Sequence, residues 1–157
     1  MRLVPTIQFT QEQARAITGV SSQALRHWRK LVPYLAKKSG KAARFGFVDL
    51  VGIAAIQQIV DNIGVSVGSV QVGIESMLRI LAVTRPSELQ NTVLVIGVDR
   101  AELRRMDELA GLRQSAPVLL VPCNPLLEKM HGYVLPDLTI ASTEPTFPTA
   151  SGIEMKP

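Results

Sequence analysis

Residues 9–31, FTQEQARAITGVSSQALRHWRKL, leave this chain few ways to fold. Apolar residues keep helical spacing on both sides of a break at Thr18-Gly19-Val20, which predicts two short helices joined by a tight turn. Thr10 suits an N-cap, and Gln13 follows three residues later, the spacing of a capping box. Ala14 and Ile17 give the first helix a short apolar stripe. Gly19 can take a positive φ that residues with a Cβ resist. Ser21 or Ser22 then caps a second helix, in which Leu25, Trp28 and Leu31 recur every three residues and face inward. Ser22, Gln23, Arg26, His27, Arg29 and Lys30 are left on the outward and flanking faces. Such groups suit a DNA major groove, where Arg, Lys and Gln find base edges and phosphates. The alternative is a helical hairpin whose charged face is only solvated.

Charge is distributed unevenly. Residues 1–50 hold nine basic and two acidic side chains, a net of +7, and the remainder holds eight basic and eleven acidic, a net of −3. Positive charge gathered at one end is the electrostatic footprint of a nucleic-acid module. A membrane surface would attract it too, but no basic amphipathic helix with bulky apolar residues accompanies it. Part of the charge lies in residues 36–47, AKKSGKAARFGF, which read as a wing. A hairpin tip at Ser39-Gly40 is flanked there by Lys37, Lys38, Lys41 and Arg44, placed to meet phosphates. A flexible loop with solvated lysines is the rival reading.

The run GVSSQALRHW resembles the turn and recognition helix of the MerR family, with Leu25-Arg26-His27-Trp28 in the place of its Leu-Arg and paired aromatics. The resemblance continues through Phe45 and Asp49, similar to a Tyr-x-x-x-Asp element after the wing, and through Gly64-Val65-Ser66. It covers roughly the first half of the chain. Phage excisionases and related small regulators share these motifs. Arg15, His27 and the adjacency of Arg44 to Phe45 depart from the family pattern. The resemblance implies a winged helix-turn-helix that binds double-stranded DNA, acts in transcription regulation, and uses Arg26 as a phosphate clamp.

Further along, Pro33 ends the second helix, and Tyr34-Leu35 pack back on the core. A third helix enters at Asp49, carries a broad apolar face from Leu50 to Ile63, and closes at Gly64. A fourth, capped by Ser66 or Ser69, runs to about Ala82. Its Val70, Ile74, Met77 and Leu81 have heptad spacing, read as intrachain core before dimer seam. Residues 84–91 mark a boundary. Beyond it lie the β-branched run 92–98, a helix from Asp99 to about Gly111 and a second apolar run at 117–122, which together read as a βαβ crossover. Near-continuous apolar strands need cover on both faces. The fourth helix, a third strand at 138–141 or a second copy of the chain would supply it. Residues 142–157 lack periodicity and read as a flexible tail.

Catalysis finds little support. Gly97 stands alone without a phosphate-binding loop, and the carboxylates near Asp99, Glu102, Asp107 and Glu108 share their segment with Arg100, Arg104 and Arg105. Cys123 with His131 is an incomplete ligand set for zinc, which takes three or four protein ligands. One cysteine, no exported leader and no apolar run near the roughly 20 residues of a bilayer span lead us to expect a cytoplasmic protein.

The expected fold class is therefore α+β. A winged helix-turn-helix domain spans residues 1–83, a small βαβ-type dimerisation or partner-binding unit spans 92–141, and a tail follows. The expected function is sequence-specific binding of double-stranded DNA by a homodimeric, non-enzymatic transcription regulator without cofactor or metal. It would reach DNA through Ser21, Ser22, Gln23, Arg26, His27, Arg29, Lys30, Lys37, Lys38, Lys41 and Arg44, and its further partners would be transcription machinery or an effector protein. Excisionase-like or architectural DNA binding, and a protein- or ligand-binding module, are the rivals.

Overall fold

The segment FVDLVGIAAIQQ is apolar on nearly every side, and a helix of that kind must be covered all round. The computed structural model, which describes residues 7–134, builds its α+β fold on this requirement. In chain order the elements are β1 (Gln8–Phe9), α1 (Gln11–Thr18), α2 (Ser22–Leu31), α3 (Pro33–Ala36), β2 (Phe45–Gly46) and α4 (Phe47–Gln58). Then come α5 (Gln71–Ala82), β3 (Thr92–Ile96), β4 (Ala101–Arg105), β5 (Leu119–Pro122) and α6 (Cys123–Val134). Every residue of α4 from Asp49 to Ile56 is buried, and α1, α5, α6 and β2 pack around it.

The local signals of the first half take effect. Thr10 and Gln13 close a reciprocal capping box on α1. Gly19 ends that helix at φ 81°, its N–H donating to the Arg15 carbonyl at 2.7 Å. The Ser21 hydroxyl caps α2 by accepting from the Ala24 N–H at 3.0 Å. Pro33 sits in the first turn of α3. A π-helical turn, Ile59–Ile63, extends α4 to Gly64, which takes φ 83°. Ser66 and Ser69 bond one another, and neither side chain caps the 3₁₀ turn Val67–Val70 that leads into α5. Val70, Ile74, Met77 and Leu81 are all buried within the chain, so the heptad stripe is core.

The second half differs from the βαβ expectation. The strand order is β4-β3-β5, and both pairings are antiparallel. Residues 101–105, assigned above to a helix, form β4, which returns beside β3 after a turn closed by Gly97 N–H to the Arg100 carbonyl at 2.8 Å. The local sequence AELRR favours a helix. Its alternation favours a strand, and a central strand needs neighbours on both edges. Leu103 and Val121 flank Leu94, and Ala101 and Leu119 flank Ile96, giving one apolar face toward the helices. The residues after β4 form a 3₁₀ helix, Met106–Gly111.

This arrangement covers the central strand within a single chain. Val93 and Val95, on the outer face of β3, are buried within the single chain. Beside them the Glu102–Arg104 pair spans 2.7 Å, and Gln114 reaches from the following loop to Glu102 at 3.0 Å. Within residues 84–91 Leu89 is fully buried, and Asn91 is tied to Asn124 by two hydrogen bonds. One apolar cluster runs from Phe9 to Met130. Helix α6 returns to α1 and α4, with Lys129 donating to the Thr18 carbonyl at 3.1 Å and His131 stacked on Phe47. The expected strand at 138–141 and the tail lie outside the described residues. No single helix among the described residues is long and apolar enough to cross a membrane.

Helix α5 meets the β3–β4 turn through a glycine. A Cβ on Gly73 would stand 1.9 Å from the Gly97 carbonyl oxygen, whereas one on Gly52 would meet the end of the Leu78 side chain at 2.4 Å. Backbone yields less readily than a leucine tip. Gly73→Ala should therefore cost roughly 2–3 kcal/mol through overpacking. Gly52→Ala should cost about 1 kcal/mol or less, because the gain in helix propensity offsets part of its strain. Urea unfolding of the two variants measures the difference.

Candidate nucleic-acid interface

Helix α2 divides cleanly into two faces. Leu25 and Trp28 are buried and anchor it on the core. Gln23, Arg26, His27 and Lys30 are exposed at positions i, i+3, i+4 and i+7, a single row along the helix. With Ser21 and Ala24 they border one shallow surface depression. Ser22 is half-buried at its flank. Among the described residues, no hydrogen bond or ion pair occupies the Gln23, Arg26, His27 or Lys30 side chains. Exposed donors at helical spacing, held on a rigid and capped helix, present hydrogen-bonding groups to whatever docks there.

The turn before α2 is braced rather than loose. Arg15 donates from Nε to the Val20 carbonyl at 3.3 Å, and the Thr18 hydroxyl donates to the Ala14 carbonyl at 2.7 Å. The length of Arg15 thus serves the turn itself.

The basic segment is not the expected hairpin. Its first arm is α3, and β2 pairs instead with β1, Phe9 opposite Phe45. A two-residue β-pair leaves residues 37–44 as a loop that turns at Gly40, φ 85°, with the Ala43 N–H donating to the Gly40 carbonyl at 3.2 Å. Lys37 and Lys41 are exposed on it. Arg44 is exposed too, and its Nη1 donates to the Lys41 and Ala43 carbonyls at 3.1 and 2.9 Å.

Two cations assigned to DNA from the sequence are committed inside the protein. Lys38 places Nζ 3.3 Å from Asp49 Oδ2 and donates to the Arg44 carbonyl at 3.1 Å. It also lies over the rings of Tyr34 and Phe45. Arg29 donates to the Lys38 carbonyl and to Gln11 Oε1. Burial lowers its pKa from the ordinary value for a guanidinium. Asp49, 5% exposed, accepts from the Tyr34 hydroxyl at 2.6 Å and from the Gly46 N–H at 2.7 Å, so this buried carboxylate is well satisfied. The sequence showed Asp49 as a helix-entry residue and as part of the Phe45–Asp49 element, without its partners. Its link to Tyr34, and that of Arg29 to Gln11, join residues with no periodic relation.

Charges elsewhere are mostly answered locally. Arg79 pairs with Glu75, Arg85 with Glu88, Arg104 with Glu102 and Arg105 with Asp107. Hydrogen bonds from Arg104 and then Gln114 hold the Glu102 carboxyl below its usual range. A cleft of about 380 Å³ beside the β3–β4 turn is lined by Asp99, Arg100, Glu102 and Gln114 among others, so its charges are of both signs. Cys123 and His131 do not converge: the cysteine is fully buried, and His131 lies eight residues on, exposed against Phe47. Among the described residues no group of three or more His, Cys, Asp or Glu side chains is placed to hold a metal ion.

No protein-family model, curated protein or solved structure matches this chain.

Burial pushes the Cys123 thiol up, and burial with the Asp49 hydrogen bond pushes the Tyr34 hydroxyl up. Both acids stay neutral in the fold at a pH where the unfolded chain ionises. A raised folded value gives stability that is present below the unfolded value and is lost as pH rises through the folded one. Stability should therefore fall from about pH 8.5 upward, where a free thiol begins to ionise. Urea midpoints across alkaline pH should show this slope, and Cys123→Ala should remove its first part. Thiol-reagent labelling of the native chain should be no faster than unfolding.

Proposed function

We propose that this chain is a MerR-like winged helix-turn-helix protein that binds double-stranded DNA sequence-specifically and regulates transcription. One observation carries the reading. The unoccupied row Gln23, Arg26, His27 and Lys30 lies on a capped helix beside a loop with exposed Lys37 and Lys41, while Arg79, Arg85, Arg104 and Arg105 pair with neighbouring carboxylates. In this reading α2 enters the major groove. Gln23, in its first turn, meets a base edge with Ser21 and Ser22 nearby, and Arg26 and Lys30 take backbone phosphates or guanine. Lys37, Lys41 and the remaining donors of Arg44 hold flanking phosphates and release counterions. Arg29 and Lys38 contribute through position rather than by contact.

A homodimer on two half-sites stays in the proposal on the resemblance, because one chain already buries its central strand β3. The site carries no catalytic assignment. The proposal keeps the cytoplasmic location expected from the sequence.

Chromatin immunoprecipitation with sequencing tests the function: few discrete promoter sites fit a regulator, and continuous coverage fits an architectural protein. Fluorescence anisotropy on a selected and a scrambled duplex then tests the residues. Arg26→Ala should abolish binding while circular dichroism stays unchanged. Gln23→Ala should cost roughly 1–3 kcal/mol of discrimination at one base pair. Lys37→Ala with Lys41→Ala should weaken both duplexes alike and lower the salt slope by about one unit per lost contact. A chain that binds neither duplex at low salt sinks the reading.

A further inference from the structure

We infer that Arg29 is a positioning residue: from the flank of α2 it holds the basic loop in register with the exposed row, without touching DNA itself. The inference rests on the DNA-binding reading and adds what sets the geometry between its two halves.

Arg29 falls between Arg26 and Lys30 in sequence but is turned off their row and is half-buried. Its guanidinium fork closes on a backbone atom of the loop. Nε and Nη2 donate to the Lys38 carbonyl at 3.1 and 2.5 Å, and Nη2 also donates to Gln11 Oε1 at 2.5 Å. One side chain therefore ties α2, α1 and the loop together. Lys38 carries the tie onward through its ammonium to Asp49 on α4.

Beyond these two ties, through Arg29 and through Lys38, the loop is held by local bonds. Its backbone hydrogen bonds are short-range, Lys38 N–H to the Leu35 carbonyl and Ala43 N–H to the Gly40 carbonyl, and the β2 strand that follows has two residues. A cleft lined by Thr10, Gln11, Glu12, Arg29, Gly40 and Lys41 separates the loop from the start of α1. Arg29 crosses from α2 to the loop beside that cleft. Its planar fork fixes direction as well as distance. A lysine there would keep the charge and lose the fork.

The full-length Arg29→Lys variant separates positioning from direct contact. Amide hydrogen exchange is read first, without DNA. Exchange at Lys38 and Ala43 should speed up, while Leu25 and Trp28 on α2 keep their protection. Anisotropy on the selected duplex is read second. Arg29→Lys should weaken binding about tenfold, and Lys41→Ala should cost less in that background than in wild type, the non-additivity expected of coupled groups. Gln11→Ala removes one acceptor from outside the core, and should move both readouts the same way by less. Unchanged exchange, near-normal affinity of Arg29→Lys and strict additivity with Lys41→Ala would mean that Arg29 acts by charge alone, which overturns the inference and leaves the DNA-binding reading intact. A wild-type chain that binds no duplex overturns the DNA-binding reading, and the inference about binding falls with it, whatever the exchange shows.

Discussion

The rest of the structure depends on the burial of α4. Its residues from Asp49 to Ile56 are shielded on every side, which no single neighbour can achieve. Helix α1 covers one flank, α5 a second and α6 a third, while β2 leads directly into its first turn. A helix without a polar face cannot settle against one partner and leave the other side to water. The chain must therefore bring elements from both of its halves to the same axis. Gly52 lets Leu78 of α5 come close at that axis, and Gly73 lets α5 come close to the sheet turn in its place.

Polar groups obey a similar economy at the edge of this core. Asp49 is a buried carboxylate, and Tyr34, Gly46 and Lys38 together supply its donors. An uncompensated charge at that depth would be costly, so the loop that brings Lys38 is bound to the helix that carries Asp49. The exposed face of α2 has the opposite character. Its side-chain donors have no partners among the described residues, although the Arg29 guanidinium and the Lys38 ammonium nearby are bonded within the chain. Adjacent cations in one basic stretch thus differ in kind: some build the surface and some present it.

What could be read from the sequence followed the range of the interactions. Thr10, Gly19, Ser21, Pro33 and Gly64 act within a few residues of themselves, so their capping and turn roles were visible in the order of letters. The buried stripe of α5 was visible for the same reason. Residues 101–105 were misread because their helical propensity is local, whereas their strand conformation answers to β3, a partner that only the folded chain supplies. The loop was read as a hairpin because its turn was legible and the distant partner of β2, at Gln8–Phe9, was not. In the candidate interface, residue type and helical spacing picked out Gln23, Arg26, His27 and Lys30. Composition alone could not tell Lys37 and Lys41, which are exposed, from Arg29 and Lys38, which are half-buried and bonded within the chain. That distinction lives in long-range partners such as Gln11 and Asp49.

The return of α6 to the first helices has a consequence for how the chain is made. Synthesis runs from the N-terminus, so the row on α2 leaves the ribosome long before Cys123, Leu126, Leu127 and Met130, the residues by which α6 helps close the core. Modules of larger proteins commonly fold while later ones are still being translated. Here α4 keeps an uncovered flank until α6 emerges, and Lys129 must also arrive before the end of α1 is tied at Thr18. A polypeptide released early would carry every residue of the exposed row and lack the scaffold that orders it. Premature termination or proteolytic clipping ahead of α6 would therefore leave that flank of α4 bare.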